Sequence, residues 1–151
     1  MTRWPIPQPM QQALDAAREA AEAGEVPVGA AVVKGEVVIA VAANATRSPT
    51  DPTGHAEIRA LRQAAETLGD ERLTGCDLYV TLEPCAMCAG AIAHARVARL
   101  YYGASDPKGG GVEHGALVFE HPQSLHRPEI YPGIGEGEAA VLLRAFFAER
   151  R

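Results

Sequence analysis

The sequence predicts a three-layer α/β domain in which helices cover both faces of a five-stranded mixed sheet. Apolar segments with helical spacing alternate along the chain with short β-branched segments. Their order is helix, hairpin, helix, strand, helix, strand, strand, helix, so the strands after the hairpin are expected to run mostly parallel. The chain has 151 residues, 47% of them hydrophobic, which suits one domain with a sizeable core. We therefore expect a single domain over residues 1–151.

The first half of the chain predicts a helix, a hairpin and a second helix. Apolar residues recur at helical spacing from Met10 onward, and Gly24 is placed to end that helix. Two apolar β-branched runs around a Lys-Gly turn predict the hairpin. Thr53 is the expected N-cap of the second helix. The predicted bounds are 10–23 for the first helix, 26–33 and 36–42 for the hairpin strands, 44–54 for a loop and 55–68 for the second helix.

The second half predicts strands alternating with helices. Pro84 suits the first position of a helix, where its missing N–H does no harm. Residues 106–115 are rich in glycine and predict a loop. The predicted bounds are 77–82, 97–102 and 129–131 for the strands, and 84–95 and 138–150 for the helices.

Two short motifs contain residue types that bind metal ions. The first is residues 55–57, His-Ala-Glu, and the second is residues 84–88, Pro-Cys-Ala-Met-Cys. One imidazole and two thiolates fill three of the four tetrahedral positions of a zinc ion. The fourth position stays open for water, which is typical of a catalytic zinc rather than a structural one.

The spacing within these motifs predicts that each stands at the start of a helix. Residues i and i+2 lie on different faces inside a helix, so His55 and Glu57 reach one site only at its entrance. Cys85 and Cys88 are i and i+3, and they share a face in the first turn. Two helix N-termini thus converge, and their partial positive charge is expected to lower the pKa of both thiols.

This set of donors indicates a hydrolytic reaction. Zinc lowers the pKa of a bound water molecule towards neutrality, and the resulting hydroxide is a nucleophile that can attack a base. Glu57 can take a proton from the water and pass it to a ring nitrogen and then to a departing amine. H-x-E together with P-C-x-x-C, with a glutamate that does not bind the metal, is the signature of zinc-dependent base deamination. The motifs therefore predict a zinc-dependent deaminase.

Two other interpretations of the cysteine pair are open. A lone Cys-x-x-C also occurs in redox-active proteins and as half of a structural zinc knuckle. A redox motif does not require His55 and Glu57, and a knuckle requires a fourth strong ligand. His94 follows Cys85 by nine residues, well beyond the first helical turn. The histidines outside the motif are expected to be surface or core residues: His94, His114, His121 and His126.

Charge and composition indicate which kinds of protein and of binding partner are expected. The formal net charge of −5 weighs against a nucleic-acid partner, because phosphate contacts need lysine and arginine. Three cysteines without a secretory signal do not indicate a disulfide framework, and Cys76 is expected to be a small buried residue. Residues 1–9 lack the apolar core of a signal peptide, and no run of about 18 apolar residues predicts a membrane span. We therefore expect a cytoplasmic protein.

Beyond the motifs, the sequence resembles the cytidine and deoxycytidylate deaminase superfamily almost from end to end. Within that superfamily it is most similar to the bacterial tRNA-specific adenosine deaminases. The matching stretches are residues 25–30 (EVPVGA), 51–58 (DPTGHAEI), 81–90 (TLEPCAMCAG), 103–108 (GASDPK) and 146–151 (FFAERR). The flanking stretches favour this group over the cytidine deaminases, whose metal-binding histidine is usually a cysteine. The resemblance implies the cytidine-deaminase-like fold, with helices on both sides of a central mixed five-stranded sheet.

The resemblance also implies a reaction, a partner and a set of site residues. The implied reaction is hydrolysis of the wobble adenosine in a tRNA anticodon to inosine, with release of ammonia. A base in an anticodon loop can be turned out of the stack and buried in a pocket. Such enzymes are typically homodimers with active sites near the subunit interface. By resemblance, His55, Cys85 and Cys88 bind zinc, Glu57 transfers protons, and Asn44, Val28 and Lys108 contact the substrate.

Two segments depart from the family pattern. Residues 112–114, Val-Glu-His, stand where the family usually has a small-residue Ala-Gly-Ser stretch. Leu125 stands where the family often has an asparagine. Both segments are expected to contact RNA, and Glu113 would repel phosphate unless it is paired.

The metal motif alone leaves the substrate class open. Deaminases of free bases or nucleosides, such as guanine or cytosine, use the same zinc site, so such a substrate is the alternative. The net acidic charge favours a small molecule, whereas the matches at 103–108 and 146–151 favour RNA. A non-catalytic RNA-binding subunit is disfavoured because Glu57 is present.

Overall fold

The computed structural model describes residues 5–150, and within them the order of α-helices and strands is the predicted one. Met1 to Trp4 and Arg151 lie outside the described residues. They include part of the N-terminal segment 1–9 and the last residue of the matching stretch 146–151. The elements are α1 (Gln8–Glu22), β1 (Gly29–Lys34), β2 (Val37–Ala43), α2 (Ala56–Leu68), β3 (Cys76–Leu82), α3 (Ala86–Ala95), β4 (Arg99–Ala104), a 3₁₀ turn (Val118–Glu120), β5 (Glu129–Tyr131) and α4 (Glu136–Ala148).

The five strands form one mixed sheet in the order β2-β1-β3-β4-β5. β1 pairs antiparallel with β2 and with β3, whereas β3–β4 and β4–β5 are parallel pairs. This confirms the prediction of an α/β fold with parallel strands after the opening hairpin. Because parallel strands end at the same edge of the sheet, the segments that follow Leu82 and Ala104 start side by side.

Helices cover both faces of the sheet, which gives three layers. Alternate residues of a strand point to opposite faces. On β3, Leu78 and Val80 pack in the cluster that includes α2 and α3, whereas Tyr79 packs against the cluster that includes α1. α1 lies so close to β1 that a Cβ on Gly29 would stand 1.8 Å from the carbonyl oxygen of Ala13. Only glycine permits that approach.

Helix α2 begins at a different residue from the one predicted. Its N-cap is His55, not Thr53. The N–H and the hydroxyl of Thr53 both donate to the Asp51 carboxylate at 2.9 Å. The prediction of Thr53 as N-cap was wrong because a local turn inside the preceding loop already uses that hydroxyl.

Helix α3 also begins later than predicted. Its first residue is Ala86 and its N-cap is Cys85, so Pro84 precedes the helix instead of occupying its first position. Cys85 keeps an extended backbone with ψ of 176°, so helical geometry begins only at the next residue. The short 3₁₀ turn at residues 118–120 was not predicted, because three residues carry no readable periodicity.

Two expectations about composition can be compared with the described residues. Cys76 is fully buried in the main core cluster, as expected of a small apolar side chain. Among residues 5–150, no helix combines the length and the apolar character needed to cross a bilayer.

Candidate functional site

His55, Cys85 and Cys88 form a compact cluster at the edge of the sheet where the parallel strands end. Their ligand atoms all lie within 4.8 Å of one another. His55 Nδ1 is 3.6 Å from Cys85 Sγ and 3.4 Å from Cys88 Sγ. A tetrahedral ion with bonds of about 2.3 Å to sulfur and about 2.0 Å to nitrogen requires nitrogen–sulfur separations of about 3.5 Å. The cluster therefore could hold one metal ion of that geometry.

Two helix entrances bring these side chains together. His55 is the N-cap of α2, and Glu57 is the second residue of that helix. Cys85 is the N-cap of α3, and Cys88 is its third residue. His55 and Cys85 have extended backbones, with ψ of 151° and 176°, so each side chain leaves the chain just before helical geometry begins. This is the arrangement that the i, i+2 spacing of His55 and Glu57 requires.

Glu57 is a buried carboxyl group beside the cluster. Its residue is 4% exposed, and burial raises the pKa of its carboxyl to about 7. The nearby sulfur of Cys85 adds to that increase in pKa, and the His55 ring opposes it. A carboxyl group with a pKa near neutrality can both accept and release a proton.

The two thiols do not behave alike. The hydrogen bond from Cys88 lowers the pKa of the Cys85 thiol to about 5. The same hydrogen bond, together with burial, raises the pKa of Cys88. Because the two sulfurs share one proton, these opposite changes in pKa belong to the pair. A metal cation at the cluster would deprotonate a coordinating thiol outright.

A cleft of about 220 Å³ opens beside the cluster. It lies between the residues that follow α1 and β2 on one side and the loop after β4 on the other. A larger cavity of about 590 Å³ lies between α2 and α3, and its lining contains none of the motif residues. The small cleft is lined by Val26, Val28, Asn44, His55, Glu57, Leu82, Glu83, Cys85, Asp106 and Gly109.

The structure brings together all but one of the predicted site residues. Val28 is 8% exposed and Asn44 is 9% exposed, and both line the cleft. Lys108 is exposed on the loop after β4, and it does not line the cleft. Its N–H donates to the Asp106 carboxylate at 3.2 Å, so the main chain at Lys108 belongs to a turn centred on Asp106.

One buried carboxylate that the sequence analysis missed is Glu25. It is 3% exposed, and it accepts the main-chain N–H groups of Thr46, Arg47 and Ser48 at 3.0 to 3.2 Å. Burial alone would raise the pKa of Glu25, but these hydrogen bonds outweigh it and lower that pKa. Glu25 thus ties the loop that follows Asn44 to the segment that leads into Val28.

A second missed carboxylate is Glu83, which lines the cleft between Leu82 and the metal-binding cysteines. Its residue is 2% exposed, and it accepts N–H groups of the loop after β4. The positions of Glu25 and Glu83 in the sequence were the signal that could have identified them. Glu25 and Glu83 directly adjoin apolar segments that fold into the core, and a buried charge needs hydrogen-bonding partners.

Two of the residues that depart from the family pattern, Glu113 and His114, have hydrogen-bonding partners. The Tyr102 hydroxyl donates to the Glu113 carboxylate, and His114 Nδ1 lies 2.7 Å from the Glu83 carboxylate. The tyrosine hydroxyl is neutral, so this hydrogen bond orients the Glu113 carboxylate and leaves its negative charge in place. Leu125 is 58% exposed on the surface. Near the C-terminus, the Arg150 guanidinium lies 3.5 Å from the centre of the Phe146 ring.

The chain is similar to known deaminases. A model of the MafB19-like deaminase family matches residues 7–151. The tRNA-specific adenosine deaminase of Agrobacterium fabrum is 56% identical over 142 residues, which cover 94% of this chain and 93% of that protein. A solved structure from work on A-to-I editing by deaminases at the wobble position of transfer RNA has a TM-score of 0.88 at 55% identity, covering 89% of this chain and 98% of its own.

A deaminase of a free base is also similar. The guanine deaminase of Bacillus subtilis has a TM-score of 0.63 at 41% identity, covering 64% of this chain and 62% of its own. The tRNA-directed relatives share a higher identity than this enzyme and a much larger part of the chain.

Proposed function

The chain belongs to the MafB19-like deaminase family, and we propose that it hydrolyses the wobble adenosine of a tRNA anticodon to inosine and ammonia. One observation carries the choice of substrate. The match to a tRNA-specific adenosine deaminase is 56% identical and covers 94% of this chain and 93% of that protein. The cleft and the His-Cys-Cys cluster supply a site for the chemistry.

We propose zinc as the metal, held by His55, Cys85 and Cys88. Two thiolates and an imidazole suit zinc better than the oxygen-seeking cations. Three protein ligands would leave one tetrahedral position of the zinc ion open for water. When bound, zinc supplies a lowered water pKa, so that the water can attack C6 of adenine.

Glu57 is the proposed proton carrier of the reaction. It lines the same cleft as His55 and Cys85, and it is not part of the metal cluster. Its carboxylate takes a proton from the attacking water and delivers it to the ring nitrogen next to the reacting carbon. Glu57 then carries the second proton of the former water from the oxygen on C6 to the amine. The bond between C6 and the amine nitrogen breaks and ammonia leaves, so water and adenosine are converted into inosine and ammonia.

Asn44 and Val28 are proposed to hold the nucleotide. Asn44 offers an amide that can donate and accept hydrogen bonds, and Val28 offers an apolar wall for the base. The cleft of about 220 Å³ suits one base, which must therefore be turned out of the anticodon stack. Lys108 and Arg47 are exposed on the two loops that border the cleft, where they suit phosphate contacts.

A homodimer is proposed from the outer face of α3. Ala86 and Met87 are exposed between the two metal-binding cysteines. Ala91 lines the cavity of about 590 Å³ between α2 and α3. This face combines apolar residues with charged ones such as Arg62 and Arg96, which suits contact with a second copy of the chain. Light scattering is expected to give twice the chain mass, and Ala91→Arg is expected to give a monomer. A wild-type monomer at micromolar concentration would contradict this proposal.

The chain is further proposed to act in the cytoplasm as one zinc-dependent deaminase domain over residues 1–151. The family model spans residues 7–151, and the five strands form one sheet. The proposed RNA substrate is found in that compartment.

A direct assay tests the proposed function. An anticodon stem-loop RNA with adenosine at the wobble position is incubated with the protein, beside separate reactions with guanine, cytosine, cytidine and adenosine. Inosine in the RNA and released ammonia are measured by mass spectrometry and by a coupled assay. The same stem-loop with guanosine at the wobble position is the control. Turnover of a free base without inosine in RNA would transfer the function to the alternative class.

A further inference from the structure

The cleft contains a buried carboxylate, Glu83, that the proposed chemistry does not use. Glu83 directly follows β3 and precedes Cys85 by two residues, and its side chain is fully buried. One carboxylate oxygen accepts the N–H of Asp106 at 3.0 Å. The other accepts the N–H groups of three consecutive residues, Val112, Glu113 and His114, at 3.2, 2.9 and 3.2 Å.

A side chain adds a fifth contact to this carboxylate. His114 Nδ1 lies 2.7 Å from the oxygen that also binds Asp106 N–H. An ionised carboxylate offers about four acceptor sites, so five donors occupy its full capacity. Glu83 therefore has no free lone pair with which to accept a proton from substrate or water.

The segment that Glu83 holds forms one wall of the cleft. We name residues 106–114 the 106–114 loop. Asp106 and Gly109 line the cleft, and the N–H of Gly111 donates to Pro84 O at 2.8 Å. The loop packs without clearance, because a Cβ on Gly110 would lie 2.5 Å from the Glu83 carboxylate. Glu83 thus fixes the distance between this wall and the cysteine-bearing start of α3.

We propose that Glu83 is a positioning residue that sets the shape of the substrate side of the cleft by binding main-chain amides of the 106–114 loop. It acts on where the nucleotide sits and not on the reacting atoms. This inference rests on the proposed deaminase function, since it concerns the same cleft. The same contacts explain how the loop accommodates Val-Glu-His at 112–114 in place of the small residues that are usual in the family. Every residue except proline supplies a main-chain N–H.

The first test is Glu83→Gln, which keeps the shape of the side chain. In glutamine, an NH₂ group replaces one of the two carboxylate oxygens. Each of these oxygens accepts at least two hydrogen bonds, so the NH₂ group would face other donors and the loop must shift. KM for the stem-loop RNA is expected to rise about tenfold, with kcat reduced less than about threefold, since the interaction lost is one of binding. Zinc content, measured by elemental analysis, is expected to stay at the wild-type level.

Val32→Ala is the control for lost stability. Val32 is fully buried in the middle of the sheet and does not line the cleft. If Val32→Ala raises KM as much as Glu83→Gln does, the effect of Glu83 is general destabilisation and the inference is overturned. A fall in kcat at unchanged KM would also overturn it, because Glu83 would then act on the chemical step.

A matched pair at position 113 tests the inference if Glu83→Gln does not fold. Glu113→Ala and Glu113→Pro both remove the side chain that binds Tyr102, but only proline removes the N–H that donates to Glu83. KM is expected to rise at least about threefold more in the proline variant. Equal KM values in the two variants would overturn the inference.

These outcomes differ from those that would overturn the proposed function. If the wild-type protein converts guanine or cytosine and not RNA, the function proposal fails. The same comparison of KM and kcat can then be made with that base, and it still decides the role of Glu83.

Discussion

The metal-binding half of the cleft and its loop half are built by different physical means. The metal-binding half consists of His55, Glu57, Cys85 and Cys88, which stand in the first turns of two helices or at their N-caps. The loop half consists of residues 44–48 and 106–114. In the metal-binding half, side chains converge on one point. In the loop half, main-chain amides converge on buried carboxylates.

This difference determines which residues each half tolerates. A metal ligand needs a specific donor atom at a specific position, so a single substitution removes a bond that no neighbour can replace. An amide donor is common to all residues except proline, so a position of the loop half that contributes only its N–H can vary in side chain. Gly110 is an exception, because a Cβ there would lie 2.5 Å from the Glu83 carboxylate. Glu113 is an example, because Glu83 binds its N–H group and not its side chain.

The largest effect is expected in the metal-binding half, from Cys88→Ala. Loss of one of three protein ligands should release the metal, abolish measurable deamination and lower the melting temperature. Metal content by elemental analysis and inosine formation measure this outcome. Cys76→Ala is the matched control, because Cys76 is also fully buried but lies outside the cluster. A Cys88→Ala protein that keeps both zinc and activity would exclude the proposed ligand set.

A large effect without metal loss is expected from Glu57→Ala. Removal of a general acid–base group lowers kcat by about 10²- to 10⁴-fold. Zinc content and fold should be retained, because Glu57 is not part of the metal cluster. Glu36→Ala, at an exposed residue of the hairpin turn, is the control. An active Glu57→Ala enzyme would rule out the proton-carrier role and separate Glu57 from the metal-binding half.

In the loop half, Glu25→Gln is expected to act on stability more than on chemistry. Loss of charge at a carboxylate that binds three main-chain N–H groups should lower the free energy of unfolding by about 2 kcal/mol at pH 7. Urea unfolding monitored by circular dichroism measures this difference. Glu22→Gln, at an exposed residue, is the control and should change it by less than about 0.5 kcal/mol.

The contribution of Glu25 to stability should also depend on pH. Burial would raise the pKa of Glu25, but its hydrogen bonds outweigh that and place the folded-state pKa below the ordinary value of 4.5. The stabilisation is therefore fully present above that value and is lost as the pH falls through the lower folded-state pKa. The difference between wild type and Glu25→Gln should shrink below about pH 4. A constant difference from pH 7 to pH 3 would contradict this account.

The smallest effect is expected from Lys108→Ala at the outer rim of the loop half. Lys108 is exposed and does not line the cleft, so the rate of the chemical step should not change. If Lys108 contacts phosphate, the slope of log affinity against log salt should fall by about 1. Affinity for the stem-loop RNA is measured at several salt concentrations, with Lys34→Ala on β1 as the control. Equal slopes in the two variants would remove Lys108 from the RNA contact.

The parts of the site that sequence patterns predicted are those with local causes. The i, i+2 and i, i+3 spacings of the two motifs required helix entrances, and helical geometry alone is enough for that inference. The parts that were wrong or missed involve competition for partners. Thr53 has the chemistry of an N-cap, but its hydroxyl donates to Asp51, and the spacing alone does not say which acceptor prevails.

By itself, the sequence determined the order of strands and helices along the chain and the class of chemistry, and it predicted that His55, Cys85 and Cys88 would come together. These features depend on residue type and on spacing over a few residues, and both can be read directly from the sequence. Only the tertiary structure decided which amides Glu25 and Glu83 bind, and therefore where the loop walls of the cleft stand. Those partners lie 21 to 31 residues away along the chain. A buried carboxylate selects them by proximity in the folded state, and no local pattern records that proximity.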